Sequence, residues 1–250
     1  MKSRGDIKAT WQDWVAAFNR IKPETLDITG GEPFLNKNLV DILGALDKKI
    51  RVGITTNLTQ SIMEFVEKIS PNQVFSMTLS YHPSQTAITR DAFLGKAMLL
   101  ERRGFKVCVN FVAHPEQMFM IPALKAIVES CGIRFHVDPY GIDNLGQYPY
   151  SQSDIEFLSP FVDKDRQFRI KSNRGPVKCS GGRDYMLVDP DGYAFRCWAL
   201  HLATEPAFGN ILDGTFEPFR EDSLCSMSGV CGGCDRDKVT ITPVKAAVHA

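Results

Sequence analysis

The sequence predicts an α/β protein: a parallel β/α sheet over residues 1–145, closed as a partial barrel or left open and missing its first strand, followed over 146–250 by a linker and a small cysteine-rich cap. Three observations carry this expectation. Strand-like and helix-like segments alternate across residues 25–138. Polar residues recur where the strand-like segments end. Five of the seven cysteines fall after residue 178.

Residues 11–21 open the chain with an amphipathic helix, in which Trp11, Trp14 and Phe18 recur at helical spacing and are expected in the core. A strand follows at 25–29, and from there the alternation is regular: helix 38–47, strand 50–55, helix 60–69, strand 73–80, helix 92–103, strand 106–113, helix 121–130 and strand 133–138. Such alternation implies right-handed crossovers and a parallel sheet. A regular repeat begins on a strand, so a helix standing first implies that one strand is missing before it. The strands are rich in apolar and β-branched residues, the composition of a sheet covered on both faces.

The polar strand ends are Gly30, Gly31 and Glu32, then Asn57, then Ser80 and His82, then Asn110 and His114, then Asp138. In parallel α/β proteins ligands bind at this C-terminal edge, which places the expected site there. His82 and His114 each precede a proline and read as turn residues. Beyond residue 141 the alternation stops. A loop-rich stretch leads to two short apolar runs around Pro190-Asp191-Gly192, a turn sequence that predicts a β-hairpin.

Length and composition bound the function classes. With 44% hydrophobic and 23% charged residues, 250 residues can bury a substantial core. The 29 basic and 29 acidic residues cancel, and no basic run has the density of a phosphate-tracking surface, so nucleic acid is not an expected partner. No apolar stretch approaches the roughly 20 residues that span a bilayer, so no membrane is expected either, and the chain reads as cytoplasmic. An odd number of cysteines does not suit a secreted disulfide framework. Cys108 lies in an apolar run and Cys131 ends a helical pattern, and both are expected as core thiols.

The remaining cysteines carry chemistry. Cys231-Gly-Gly-Cys234 is preceded by Cys225 and, remotely, by Cys179 and Cys197 at the two ends of the hairpin segment. A two-residue gap lets both sulfurs face one centre, and four thiolates suffice for zinc or for an iron–sulfur cluster. The turn Gly30-Gly31-Glu32-Pro33 joins two conformationally permissive residues to a carboxylate at a strand end, so that backbone can approach a ligand while Glu32 accepts from a cationic group.

The stretch Asp27-Ile-Thr-Gly-Gly-Glu-Pro-Phe-Leu35, with Thr55-Thr-Asn-Leu-Thr59 after the next helix, resembles the radical S-adenosylmethionine (radical SAM) superfamily. The resemblance implies a TIM-like (β/α) barrel whose Gly-Gly-Glu-Pro loop contacts the methionyl group of S-adenosyl-L-methionine, with Gly30, Gly31, Glu32, Pro33 and Asn57 in the cofactor site and Ser80 and Asn110 toward its ribose or carboxylate. Leu58 stands where the family pattern has glycine. The tail is similar to the SPASM region or its shorter twitch form, which implies one auxiliary [4Fe–4S] cluster with ligands drawn from Cys179, Cys197, Cys225, Cys231 and Cys234. A full SPASM region has a further cysteine where Asp222 stands here. The resemblance further implies a peptide or small-molecule substrate and an electron-donor protein.

One departure is expected to decide catalysis. The family holds its reductive cluster with a Cys-x3-Cys-x2-Cys loop, and no cysteine precedes Cys108. As written the chain is therefore expected to be inactive, and an N-terminal truncation explains the missing loop and strand together. The alternative is a non-catalytic degenerate barrel whose zinc- or cluster-stabilised cap serves as a binding module.

Overall fold

Successive parallel pairings, each strand with the next in sequence, organise the first part of the chain. The computed structural model describes residues 9–84, 87–142, 146–162, 176–227 and 239–243. Its main sheet has five parallel strands in the order β1-β2-β3-β4-β5: β1 Thr25–Ile28, β2 Arg51–Thr56, β3 Val74–Ser80, β4 Val107–Ala113 and β5 Arg134–Pro139. The helices are α1 Trp11–Ile21, α2 Leu39–Ala45, α3 Met63–Lys68, α4 Arg90–Arg102 and α5 Ile121–Ser130. The order never reverses, as it would at the switch point of a doubly wound sheet. With right-handed crossovers, an unreversed order carries the helices to one face of the sheet.

That asymmetry is written into the side chains. Val52, Ile54, Met77, Leu79, Val109, Phe111 and Val137 are all within 2% of full burial, and each such side chain contributes roughly 1.5–3 kcal/mol by leaving water. The residues between them, Thr55, Ser76, Thr78, Ser80, Cys108, Asn110 and His136, are only half-buried. One face is therefore apolar and the other polar, which corrects the expectation that both are covered by apolar contacts. Cys108 moves with this correction: it lies on the polar face opposite Arg134, whose Nε donates to its sulfur at 3.4 Å. Cys131, the C-cap of α5, is likewise half-buried rather than core. On α1 only Ala17 is buried. Trp11, Trp14 and Phe18 stay half-exposed among the described residues, and the helix packs chiefly on α2.

The chain divides into two compact units. The sheet unit comprises residues 11–140 and 150–167. Tyr150 ties the returning segment to the sheet: its hydroxyl donates to the Ala113 carbonyl at 2.6 Å and accepts from the Tyr140 N–H at 2.7 Å. The helix that follows, α6 Gln152–Leu158, starts on a Ser151/Asp154 capping box.

The second unit is built from short strands. A two-stranded ribbon pairs β6 Gly141–Ile142 with β7 Gly146–Gln147. A three-stranded antiparallel sheet has β8 Val177–Cys179 at its centre. The predicted hairpin is present as β9 Leu187–Val188 and β10 Ala194–Phe195, and is followed by helix α7 Trp198–Leu202. Strands β11 Ser223–Leu224 and β12 Ile241–Pro243 flank β8. Among the described residues, no helix is long and apolar enough to cross a membrane.

Candidate functional site

Register, rather than strand ends alone, sets out the site in the sheet unit. Ser80, the last residue of β3, pairs with Asn110, three residues before the end of β4, and Asn110 pairs with His136 of β5. Residues paired across a sheet share one face, so these three form a row on the polar side. Asn57 follows Thr56, which pairs with Leu79, and so stands beside the same row. Two residues beyond His136 on the same face, Asp138 places Oδ1 3.0 Å from its Nε2. The Oδ1 atom of Asn110 is buried and has no hydrogen-bond partner. A buried acceptor left unpaired costs about 1–3 kcal/mol, and a donor on a bound molecule would remove that cost.

Next to this row the loop after β1 is locked in place. Glu32 is buried, and its carboxylate accepts three donors: the Thr56 hydroxyl at 2.7 Å and the Phe34 N–H at 3.0 Å on Oε1, and the Asn57 N–H at 2.7 Å on Oε2. The side chain thus fastens its own loop to the end of β2, and its contacts here are neutral donors rather than the cationic group the sequence suggested. Pro33, also buried, begins the short 3-10 turn Pro33–Leu35 that Glu32 caps. Gly30 and Gly31 have φ of +85° and +45°, and a Cβ built on either meets nothing within 4 Å. Their conformation favours glycine, and open space lies beside them.

The Thr-Asn turn explains the leucine that departs from the family pattern. Leu58 adopts φ +57°, the left-handed conformation for which glycine is the usual residue, at a cost of about 1–2 kcal/mol. Its side chain is fully buried, which offsets that cost. Thr56 Oγ1 accepts from the Leu58 N–H at 3.0 Å, and Lys96 Nζ donates to the carbonyls of Leu58 and Gln60, both at 2.7 Å. Burial pushes the Lys96 ammonium below its ordinary pKa, and the nearby charge of Glu32 opposes that shift. Lys96 belongs to no motif, and only its contacts reveal its part in the site. His114 caps the 3-10 helix Pro115–Met120, its Nδ1 accepting from the Glu116 N–H and its ring lying edge-on to Tyr140, while burial lowers the pKa of His82, which stands just before a turn at residues 83–84.

In the second unit, Cys179 ends β8, Cys197 caps α7, and Cys225 follows β11, donating its N–H to the Val177 carbonyl at 2.9 Å. Cys179 pairs with Ser223, so the segments bearing Cys179 and Cys225 are neighbours. Cys231 and Cys234 lie outside the described residues. Among the described residues, no group of three or more His, Cys, Asp or Glu could hold a metal ion. Between the cysteine-bearing segments lies a residue that the sequence did not single out. Arg196 is 7% exposed and directs its guanidinium at the Cys179 sulfur, 3.5 Å away, and at the carbonyls of Gly181, Ser223 and Leu224. The Glu205 carboxylate stands 3.7 Å from its Nη1 as an ion-pair partner.

By sequence, no family model and no curated protein matches the chain. By structure it is similar to SuiB of Streptococcus suis, with a TM-score of 0.63 at 18% identity over 86% of this chain and 60% of that one. SuiB bound to its precursor peptide SuiA gives 0.59 at 17% identity, covering 87% of this chain and 60% of the other. The structure of anSMEcpe with bound AdoMet and Cp18Cys peptide gives 0.52 at 16% identity, covering 89% and 79% respectively. The chain therefore spans about 60% of the length of SuiB, and what it shares with these proteins at such identities is the α/β fold.

Proposed function

We propose that this chain binds S-adenosylmethionine at the C-terminal edge of its parallel sheet and carries one auxiliary [4Fe–4S] cluster in its cysteine-bearing unit, as part of a radical SAM enzyme that modifies a peptide. The observation that carries this reading is the Gly30-Gly31-Glu32-Pro33 loop fastened by Glu32 to Thr56 and Asn57. It supplies a ligand-facing backbone turn that is already rigid, next to a polar row containing an unpartnered acceptor. Support for a peptide substrate comes from the fold likeness to SuiB, solved with its precursor peptide, and to anSMEcpe, solved with AdoMet and a peptide.

Each residue has a defined task in this reading. Glu32 holds the loop rather than the ligand. Gly30 and Gly31 turn the backbone toward the methionyl end. Asn57, Ser80 and Asn110 offer the polar groups that orient the rest of the cofactor, and Asn110 Oδ1 accepts a hydrogen bond from it. Cys179, Cys197, Cys231 and Cys234 ligate the auxiliary cluster, with Cys225 as the remaining candidate. In an enzyme that also held the reductive cluster, bound S-adenosylmethionine would supply radical chemistry after one-electron reduction by that cluster, and the auxiliary cluster would supply a site for electron transfer or substrate capture. The 250 residues contain no Cys-x3-Cys-x2-Cys loop, so binding rather than turnover is the property by which this chain is tested.

Two measurements on anaerobically reconstituted protein suffice. Equilibrium dialysis with S-adenosylmethionine is expected to show saturable binding, weakened about tenfold in Asn110→Ala, as fits a hydrogen bond worth roughly 1–1.5 kcal/mol. No saturable binding to the unsubstituted chain overturns the cofactor site. Metal analysis is expected to give about four iron and four sulfide per chain, lost in the Cys231→Ala/Cys234→Ala variant. About one zinc and no sulfide would make the tail a structural cap and the chain a binding module instead.

A further inference from the structure

Lys96 of α4 directs its charge at backbone far away in sequence. Its Nζ donates to the carbonyls of Leu58 and Gln60, both at 2.7 Å and separated from it by 38 and 36 residues. A helix lysine ordinarily keeps its ammonium in water or pairs it with a carboxylate. This one is half-buried and is held to a single turn.

The same turn is gripped through its donors by Glu32, whose carboxylate accepts from the Thr56 hydroxyl and the Asn57 N–H, both at 2.7 Å. An anion thus takes the donors at residues 56 and 57, and a cation takes the acceptors at residues 58 and 60. The two charges also act on each other: burial lowers the Lys96 pKa, and the charge of Glu32 raises it. Among these residues stands Leu58 at φ +57°, a conformation that strains an L side chain and that glycine adopts freely. One of the two lysine bonds falls on the carbonyl of that strained residue.

What the turn presents is Asn57. Its Oδ1 accepts from the Thr59 N–H at 2.9 Å and from the Thr59 hydroxyl at 2.7 Å. The amide oxygen is thereby engaged within the turn, and the Nδ2 amide is the group that Asn57 can offer to a ligand, as a donor to a carboxylate or hydroxyl oxygen.

We propose that Lys96 is a positioning residue of the cofactor site: it holds Leu58 in the left-handed conformation and thereby aims the Asn57 amide at a carboxylate or hydroxyl oxygen of S-adenosylmethionine. This deepens the cofactor reading given above and rests on it. The lysine acts through the turn and not on the ligand, and it does for leucine what glycine would do unaided.

The test pairs equilibrium dialysis against S-adenosylmethionine with amide hydrogen exchange, on the unsubstituted chain, on Lys96→Met, and on Leu58→Gly with and without Lys96→Met. Lys96→Met is expected to bind about tenfold more weakly. Its Asn57 and Leu58 amides should exchange roughly tenfold faster, while those of β3 keep their protection. In the Leu58→Gly background the same lysine substitution should weaken binding less than threefold. That pattern supports the proposal. Weakening below threefold in the leucine chain, unchanged exchange in the turn, or equal weakening in both backgrounds overturns it and leaves the cofactor reading standing. Absence of saturable binding to the unsubstituted chain overturns the cofactor reading and the proposal together. Should the glycine chains lose protection throughout β3, binding and exchange in the leucine chains decide. Should Lys96→Met lose it, Lys96→Gln takes its place under the same thresholds, and unfolding there too makes the lysine a general structural residue, which overturns the proposal.

Discussion

Each unit buries one charged side chain at its candidate site, and the two are provided for in opposite ways. Glu32 in the sheet unit receives three short hydrogen bonds from its own chain. Arg196 in the second unit meets neutral carbonyls, a sulfur and, 3.7 Å away, the carboxylate of Glu205. A buried ion whose lone pairs are satisfied locally makes a rigid scaffold that needs nothing added. One that grips carbonyls of several segments and also faces an opposite charge ties those segments to one another. The first is held by hydrogen bonds from its own loop and strand, whereas the second draws three chain segments together around one guanidinium.

The sharpest way to break this contrast is Glu32→Ala. It leaves the Thr56 hydroxyl and two backbone N–H groups without partners, and should cost about 3–4 kcal/mol in urea unfolding, at roughly 1 kcal/mol or more per orphaned donor. A loss below 1 kcal/mol would mean that the loop is not held by this carboxylate. Glycine-to-alanine changes sharpen the comparison next. At Gly209, with φ +145°, a Cβ would lie 2.6 Å from the Phe216 Cα and 2.7 Å from the Thr215 carbonyl, so backbone must move. A destabilisation of about 3 kcal/mol is expected there. At Gly31 only the conformational cost of about 1 kcal/mol applies, and equal losses at the two positions would refute the open space claimed beside Gly31.

Leu58→Gly sets two effects against each other. Relief of the left-handed strain gains about 1 kcal/mol, while loss of a fully buried leucine costs about 3–4 kcal/mol. A net loss of about 2–3 kcal/mol is expected in the urea midpoint, and a gain would show that the strain dominates. The smallest effect concerns pH. Burial holds the His82 pKa below 6.5 in the folded chain, so between that lowered value and 6.5 the unfolded chain binds more protons. Stability from this group is therefore lost as pH falls through 6.5. Thermal scans of His82→Gln from pH 7 to 5 should show a shallower decline than the unsubstituted protein.

The sheet was legible because its pattern is local. In Val74-Phe-Ser-Met-Thr-Leu-Ser80 the apolar and polar residues are both visible, yet composition alone suggested two covered faces where most positions in fact alternate. The error over Cys108 has the same source: its sequence neighbours are apolar, but in a strand they point the other way. For Trp11, Trp14 and Phe18, periodicity identified the apolar stripe of α1 but not how little there is to cover it. Glu32 and the Thr-Asn turn were each visible as motifs, whereas the hydrogen bonds joining them were not. Arg196 and Lys96 were illegible for a different reason. Their acceptors are backbone carbonyls, which every residue possesses, so no pattern of side chains announces them.

The level row of Ser80, Asn110 and His136 also acts as a ruler. Neighbouring strands lie about 4.8 Å apart, so the three rungs span roughly 10 Å across the sheet. A compact anion or a single ring can touch one rung or two, and only an elongated molecule reaches both ends at once. For a molecule lying along this row, length would be measured by strand spacing, which no side-chain substitution alters, and chemical identity rung by rung. Exchanging one rung could change which molecule is accepted without changing how long it must be.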